Sequence, residues 1–522
     1  MPLLPTDVLR QIFEYLSDED EYFTLHSCTL VCHLWHPIAN RALWRKPIVE
    51  QGGEYSSKIH NLILASPTHA HWIQDWSSRI LPPFILLQLT KLRSLPEVPA
   101  RILQPLVGNG IQTDIRAIRK LSSRGSELTL LAGILNSCPH LEQVVFRIFA
   151  IDGEENTGHL KGLVSMTHLV QLTIEFEDFD VGNFGATFID SVTKLTPNLK
   201  HISLKTGAFI GHRLVGISER CPLLHSLSFE YWHDPEVEMM PIFIQELARG
   251  LGHRLRHFSV IQRGGYGSSG MYQAVWPLMD SLKTLHIWGV GLNEESFKAL
   301  ATGLSHSLSR LTFYRAPSSD GSDMTNIIST TAWENLFAEC ASSLVELNLL
   351  AFRPFPPTVS RVISEQYTNL KSLSITSEGA DFVCPILRTC GPQLTNLELM
   401  GCSLGVETLN TVFEYCHSLT KLIFMHPEIG GNPPMVRQQG ISKFLQKTGS
   451  RLQSLVITGT LISNRVLDLI HVHCKILKHL DLAQVMLIDE KAAVSDFKAT
   501  LKDLKWIKIN GKSIHHGIKL TA

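Results

Sequence analysis

From residue 141 onward one pattern of apolar and polar positions recurs. A leucine is followed by two variable residues, an apolar residue, one variable residue and a second apolar residue. Fourteen copies open at Leu141, Leu169, Leu199, Leu224, Leu255, Leu282, Leu308, Leu344, Leu370, Leu394, Leu419, Leu452, Leu477 and Leu501, at a mean spacing of about 28 residues. The last two apolar positions alternate with polar ones, so each copy predicts a short strand with one buried face. Between copies the period changes to that of a helix, as at residues 295–304, 409–416 and 464–474, where Val466, Leu469, Ile470 and then His473 and Cys474 fall on one side. Each unit therefore reads strand, turn, helix. A single unit cannot bury its own apolar side, and stacking against its neighbours supplies the missing cover. The predicted fold class is α/β, a curved solenoid with a parallel sheet on the concave wall and helices on the convex side.

Residues 4–47 follow another pattern. Thr6 can cap a helix with Asp7 in its first turn and Val8, Leu9, Ile12, Phe13 and Leu16 on its apolar side. Residues 17–21 form an acidic break. A second helix carries Leu25, Cys28, Val31, Cys32 and Trp35 on one stripe, ends near Pro37, and leads to a turn bearing Leu43 and Trp44. A segment this short cannot build a generous core, so much of its apolar surface needs a partner. Residues 48–140 hold weaker copies of the repeat: Ile59, Leu62, Leu64, then Leu89, Leu92, Ser94, then Ile115, Ile118, Lys120. Their starts keep the period, and degenerate early repeats are expected there. Residues 510–522 read as a loose tail.

Six of the ten cysteines, Cys138, Cys221, Cys340, Cys390, Cys416 and Cys474, stand three to five residues before a motif leucine, in runs such as CPHL, CPLL and CHSL. At the end of a helix a thiol acts as a small buried hydrophobe. With these runs, residues 138–509 resemble the cysteine-containing leucine-rich repeats of F-box proteins. Residues 4–47 resemble an F-box in Leu4-Pro5, Leu9, Ile12, Leu16, Leu30-Val31-Cys32, Trp35 and Trp44. The resemblance implies a short three-helix F-box over residues 1–47, a connecting region over 48–140, the repeats over 141–509 and the tail beyond. It further implies that Leu4, Pro5, Leu9, Ile12, Leu16, Val31, Cys32, Trp35 and Trp44 bind a Skp-family adaptor, which bridges to a cullin scaffold. The chain would then be the substrate-recognition subunit of a Skp–cullin–F-box ubiquitin ligase, directing proteins to proteasomal degradation. The alternative is a leucine-rich-repeat interaction scaffold that enters no ligase.

The third, fifth and seventh motif positions point into the concave space. The seventh runs Arg147, Glu175, Lys205, Glu230, then changes to Ile261, Trp288, Tyr314, Leu350, Thr376, Met400 and Met425. An apolar row on a polar sheet is suited to holding a protein, which makes Ile261, Trp288, Tyr314, Leu350, Met400 and Met425 the candidate substrate-binding residues. Long intervals after Trp232, Ala316 and His426 read as surface insertions.

Composition narrows the function classes. Apolar residues make up 44% and charged residues 18% of the 522, enough for a mostly folded chain. The 47 basic and 48 acidic side chains nearly cancel, so nothing draws the whole molecule to nucleic acid or an anionic membrane. The apolar run at residues 80–89 contains Pro82 and Pro83 and is about half the length a bilayer needs. No signal sequence is read at the N-terminus, and the sparse cysteines are expected as free thiols in the cytoplasm or nucleus. The sequence lacks G-x-S-x-G, H-E-x-x-H and paired C-x-x-C motifs, and the glycine-rich run at 262–272 lacks a Gly-Lys-Ser/Thr ending. No catalytic residue, cofactor or metal is expected. An adaptor would act by proximity, holding a substrate near the ligase's charged carrier.

Overall fold

The computed structural model describes residues 5–18, 22–32, 35–46, 63, 72–74, 76, 92–99, 118–124, 135–136, 138–148, 165–176, 189–208, 216–233, 249–262, 279–288, 294–304, 307–315, 329–351, 355–376, 379–401, 406–425, 438–458, 463–482, 504, 506–509 and 512–515. The chain divides into two compact units, residues 1–251 and 252–522.

The first unit opens with three helices, α1 (Thr6–Asp18), α2 (Tyr22–Thr29) and α3 (Trp35–Arg45). The apolar residues of α1 wrap around more than one side of the helix, and only part of them turns inward. Leu9, Phe13, Leu25, Ala39 and Ala42 form the core, with Leu16, Cys28, Trp35, Ile38 and Leu43 packed against it. Small alanines on α3 let the helices approach, and the Phe13 and Trp35 rings meet edge to face at 5.5 Å. Ser17, buried at the end of α1, donates its hydroxyl to the Ala42 carbonyl at 3.1 Å and so ties α1 to α3.

Six strands follow in the same unit: β1 (Ser94–Pro99), β2 (Lys120–Arg124), β3 (Gln143–Ile148), β4 (Gln171–Phe176), β5 (His201–Ala208) and β6 (Ser226–His233). Each runs parallel to the next in chain order. Strands thus begin well before residue 141, but with a register three residues later than the sequence pattern suggested. Pairing of Ser94 with Lys120 and of Lys120 with Gln143 puts Leu92 and Ile118 level with Leu141, and Leu95 and Leu121 level with Val144. The sixth motif position of β2 is Ser123, 1% exposed. A serine in a buried place is what an apolar pattern passes over. The expected copy at Ile59, Leu62 and Leu64 lies outside the described residues, as do the insertions expected after Trp232, Ala316 and His426.

The second unit continues with β7 (His257–Gln262), β8 (Thr284–Trp288), β9 (Arg310–Arg315), β10 (Glu346–Ala351), β11 (Ser372–Thr376), β12 (Asn396–Met400), β13 (Lys421–Met425), β14 (Ser454–Thr458), β15 (His479–Leu482) and β16 (Trp506–Ile509), each parallel to its neighbours. Helices α4 (Glu294–Leu304), α5 (Thr330–Cys340), α6 (Pro357–Gln366), α7 (Ala380–Cys390), α8 (Val406–Tyr415), α9 (Gln438–Thr448) and α10 (Asn464–His473) alternate with the strands. The thirteen motif leucines from Leu141 to Leu477 are each at most 1% exposed, which makes them the spine of the core. Two expectations for the C-terminus need correction. Pairing of His479 with Trp506 makes the last copy Leu504, Ile507, Ile509 instead of Leu501, Leu504, Trp506. Within the expected tail, β17 (Lys512–His515) pairs antiparallel with β16, Ile509 opposite Lys512 and Trp506 opposite His515, and residues 516–522 lie outside the described residues. The two residues between these strands are Asn510 and Gly511, a strong short hairpin signal.

Neighbouring repeats share backbone bonds at the start of each strand. The amides of Val345 and Glu346 both reach the Ser309 carbonyl, at 2.8 and 3.0 Å, and those of Thr395 and Asn396 reach Lys371 in the same way. At the other end, helix C-termini leave carbonyls without intrahelical donors. Thiols add donors there: Cys390 Sγ lies 3.7 Å from the Ile363 carbonyl, which also accepts the Tyr367 amide, and 3.5 Å from the Tyr367 carbonyl, at the end of α6 in the preceding repeat. Cys221 Sγ does the same for Thr193 and Thr196. Burial pushes the thiols of Cys138, Cys340, Cys416 and Cys474 up to about 12 and that of Cys221 to about 11, so all remain neutral donors. Glycine allows the closest approach. A Cβ on Gly391 would stand 2.9 Å from Cys416 Sγ, and one on Gly449 would stand 2.8 Å from His473 Cβ.

Candidate interaction surfaces

The three-helix module divides its apolar residues between two tasks. Leu9 is 1% exposed in the core, and Leu16 and Trp35 pack against that core. Leu9 thus holds the helices together, while Leu16 and Trp35 support the core and stay partly exposed. Trp44 is half-buried. Pro5 and Cys32 are exposed, Ile12 is 41% and Val31 58% exposed. Leu4 lies outside the described residues. Two further residues that the family pattern did not mark face outward, Val8 at 38% and Tyr15 at 63% exposure, and Leu30, which it did mark, is 75% exposed. Val8, Ile12 and Tyr15 are spaced i, i+4 and i+7, so they form a continuous stripe along α1. That spacing was available in the sequence, but Leu9 and Phe13 have it too. Only the positions of α2 and α3 decide which stripe turns inward. Arg10, between these rows, is held by Asp7 at 3.3 Å.

The second surface is the sheet of residues 252–522. Along β8, Leu285 and Ile287 are buried while Thr284, His286 and Trp288 are half-exposed, so third, fifth and seventh motif positions share the open side. The strand register aligns the seventh positions directly: Ile261 with Trp288, Trp288 with Tyr314, Tyr314 with Leu350, and Thr376 with Met400, Met400 with Met425. Trp288 and Tyr314 stack with ring centroids 3.6 Å apart and planes 13° from parallel, a flat aromatic platform. Burial lifts the Tyr314 phenol above its ordinary value and lowers the His286 imidazole, so both are uncharged at neutral pH. Met425 is the most open member, 41% exposed.

Charged side chains on this side of β7 to β16 are matched in pairs across adjacent strands. Arg310 faces Glu346 at 3.4 Å, Lys421 faces Glu398 at 2.5 Å and Lys508 faces Asp481 at 3.8 Å. In residues 1–251 the seventh positions make a similar ladder, Arg147 with Glu175 at 2.6 Å and Lys205 with Glu230 at 3.4 Å. The charged seventh positions of the early repeats therefore neutralise one another.

Among the described residues no group of three or more histidine, cysteine, aspartate or glutamate side chains is placed to hold a metal, and no helix is long and apolar enough to cross a membrane. Residues 1–50 match the model of the F-box-like family. No curated protein matches the chain. Among solved structures, it is similar to a chain in the crystal structure of the Rad7 and Elc1 complex in yeast, with 13% identity, a TM-score of 0.41, and coverage of 89% of this chain and 94% of that one. It is also similar to a chain in the crystal structure of the TLR13–ssRNA13 complex, with 14% identity, a TM-score of 0.34, and coverage of 84% and 78%.

Proposed function

We propose that this chain, an F-box-like module followed by leucine-rich repeats, is the substrate-recognition subunit of a Skp–cullin–F-box ubiquitin ligase. The helical module binds a Skp-family adaptor and through it the cullin, and the open side of the repeat sheet holds a protein substrate. The chain contributes no catalytic side chain; it raises the effective concentration of a substrate lysine beside the ligase's ubiquitin carrier. Such a subunit works in the cytoplasm or nucleus, where thiols stay reduced.

The observation that carries the reading is the outward apolar stripe of Val8, Ile12 and Tyr15, with Leu30 and Val31 at the end of α2. Covering a large apolar side chain is worth about 1.5–3 kcal/mol, so a partner seated on this stripe gains several kcal/mol that water does not provide. The test is co-purification of the full chain with a Skp-family adaptor. Ile12→Asp places a charge in the covered stripe without touching the core, and should weaken adaptor binding by at least 100-fold while the thermal midpoint stays unchanged. Adaptor binding that survives Ile12→Asp combined with Val31→Asp would remove the stripe as the docking surface, and absence of binding by the unaltered chain would remove the ligase role.

A further inference from the structure

The substrate surface proposed above also carries information about what it accepts, and the following rests on that reading. Recognition of a phosphorylated or acidic segment requires cations free to approach it, commonly arginines that meet phosphate oxygens in pairs. On the open side of β7 to β16, the described lysine and arginine side chains at third, fifth and seventh positions are Arg310, Lys421 and Lys508. Each already faces a carboxylate on the adjacent strand. A basic segment meets the same obstacle in mirror image, because Glu346, Glu398 and Asp481 are the partners in those pairs. Between Arg310 and Lys421 the third and fifth positions include Thr312, Asn348, Ser372, Ser374 and Asn396, all uncharged. Beside them run Trp288, Tyr314, Leu350, Met400 and Met425.

We propose that the occupant of this row is an uncharged, apolar segment of a protein substrate, recognised without phosphorylation. Its bulky side chains lie on the Trp288–Tyr314 platform and between the flexible thioethers of Met400 and Met425, which adapt to irregular apolar shapes. The Thr312 hydroxyl and the Asn348 amide, both partly exposed, serve its backbone. Breaking an existing Arg310–Glu346 or Lys421–Glu398 pair to bind a phosphate would leave the carboxylate facing the phosphate, a like-charge contact that disfavours such a ligand.

The experiment uses the full chain in complex with its Skp-family adaptor and an array of synthetic 15-residue peptides in three matched sets. One set combines leucine, phenylalanine and tyrosine with serine and glycine, the second carries phosphoserine in place of serine, and the third replaces the serines by aspartate or lysine. The neutral set should bind best, with affinity changing less than two-fold between 150 and 500 mM salt, since screening acts on charged contacts. Replacing its aromatic residues by serine should cost at least ten-fold. Trp288→Ala should weaken binding at least ten-fold, and Met425→Glu, at an open position that does not threaten folding, at least five-fold. Binding that requires phosphoserine, falls steeply with salt, or ignores both substitutions overturns the proposal. Adaptor binding is measured on the same samples: retained adaptor with no neutral-peptide binding rejects the occupant alone, whereas loss of adaptor by the unaltered chain rejects the ligase reading.

Discussion

Replacing Gly391 by alanine places one methyl group at the junction of two repeats. Gly391 has φ −50° and ψ −43°, an ordinary right-handed helical conformation. On backbone grounds alone alanine should therefore stabilise the chain by about 0.4–1 kcal/mol through the unfolded state. The new Cβ, however, would lie 2.9 Å from Cys416 Sγ, 3.2 Å from Tyr415 Cβ and 3.4 Å from the Tyr415 carbonyl carbon. Ordinary carbon contacts are about 3.5–4.0 Å, and overpacking a filled site costs about 1–3 kcal/mol. The net expectation is a loss of about 1–2 kcal/mol, which lowers the thermal midpoint of a domain this large by about 2–6 °C. Cys416→Ala removes the nearest obstacle, so the double variant should recover about 1 kcal/mol relative to the sum of the single effects. Urea denaturation of the four proteins, followed by circular dichroism, gives the cycle. Stabilisation by Gly391→Ala, or additivity within about 0.3 kcal/mol, would refute the idea that glycine is there to admit the next repeat's thiol. The array contains its own comparison: Ala341 holds the equivalent place after Cys340, where the following repeat brings Tyr367 instead of a cysteine.

Two more outcomes follow from groups already described. Cys32 is exposed whereas Cys138, Cys340, Cys416 and Cys474 are buried with thiols pushed to about 12; intact-mass analysis after alkylation at pH 8 should show Cys32 modified first and these four protected until denaturant is added. Because their folded values lie above the ordinary thiol value of 9.0, the stability they contribute is whole below about pH 8.5 and lost as pH rises toward 12, so urea midpoints should fall across that alkaline window, and a midpoint flat through it would contradict the buried assignment. Ser329 caps α5 by accepting the Ala332 amide at 3.2 Å while donating to Glu294 at 2.6 Å. Ser329→Ala should cost about 1 kcal/mol; Ser329→Asp, ordinarily as good a cap, should cost more because it sets two carboxylates together, and the opposite ranking in chemical denaturation would show that Glu294 is not bound there.

The repeat was legible in the sequence because each strand needs large apolar residues at fixed places, and thirteen copies from Leu141 to Leu477 keep the register that their leucines announce. The register slipped where that requirement relaxes. Ser123 fills a buried place with a small polar residue, and near the end both Leu501 and Leu504 open a sequence that fits the motif, so that only the pairing of His479 with Trp506 separates them. The antiparallel pairing of β16 with β17 was signalled by Asn510-Gly511, a local cue that the period of the repeat does not carry. On α1 the pattern identified the apolar residues and left their division open, since Val8 and Leu9 begin two stripes of equal spacing. Tertiary packing alone sends Leu9 inward and Val8 outward. The stacked pair Trp288 and Tyr314 followed from counting seven places from a leucine, but the cancellation of charge around it depends on which strands are neighbours.

Because β17 runs against β16, the polypeptide has a preferred place to lengthen. A duplicated repeat inserted between existing ones meets parallel strands on both sides and is accepted by the same backbone geometry. A repeat fused beyond His515 would meet a strand of the opposite polarity and could not continue the series. Expansion or shortening of the array is therefore expected in its interior, where every neighbouring strand already runs in one direction.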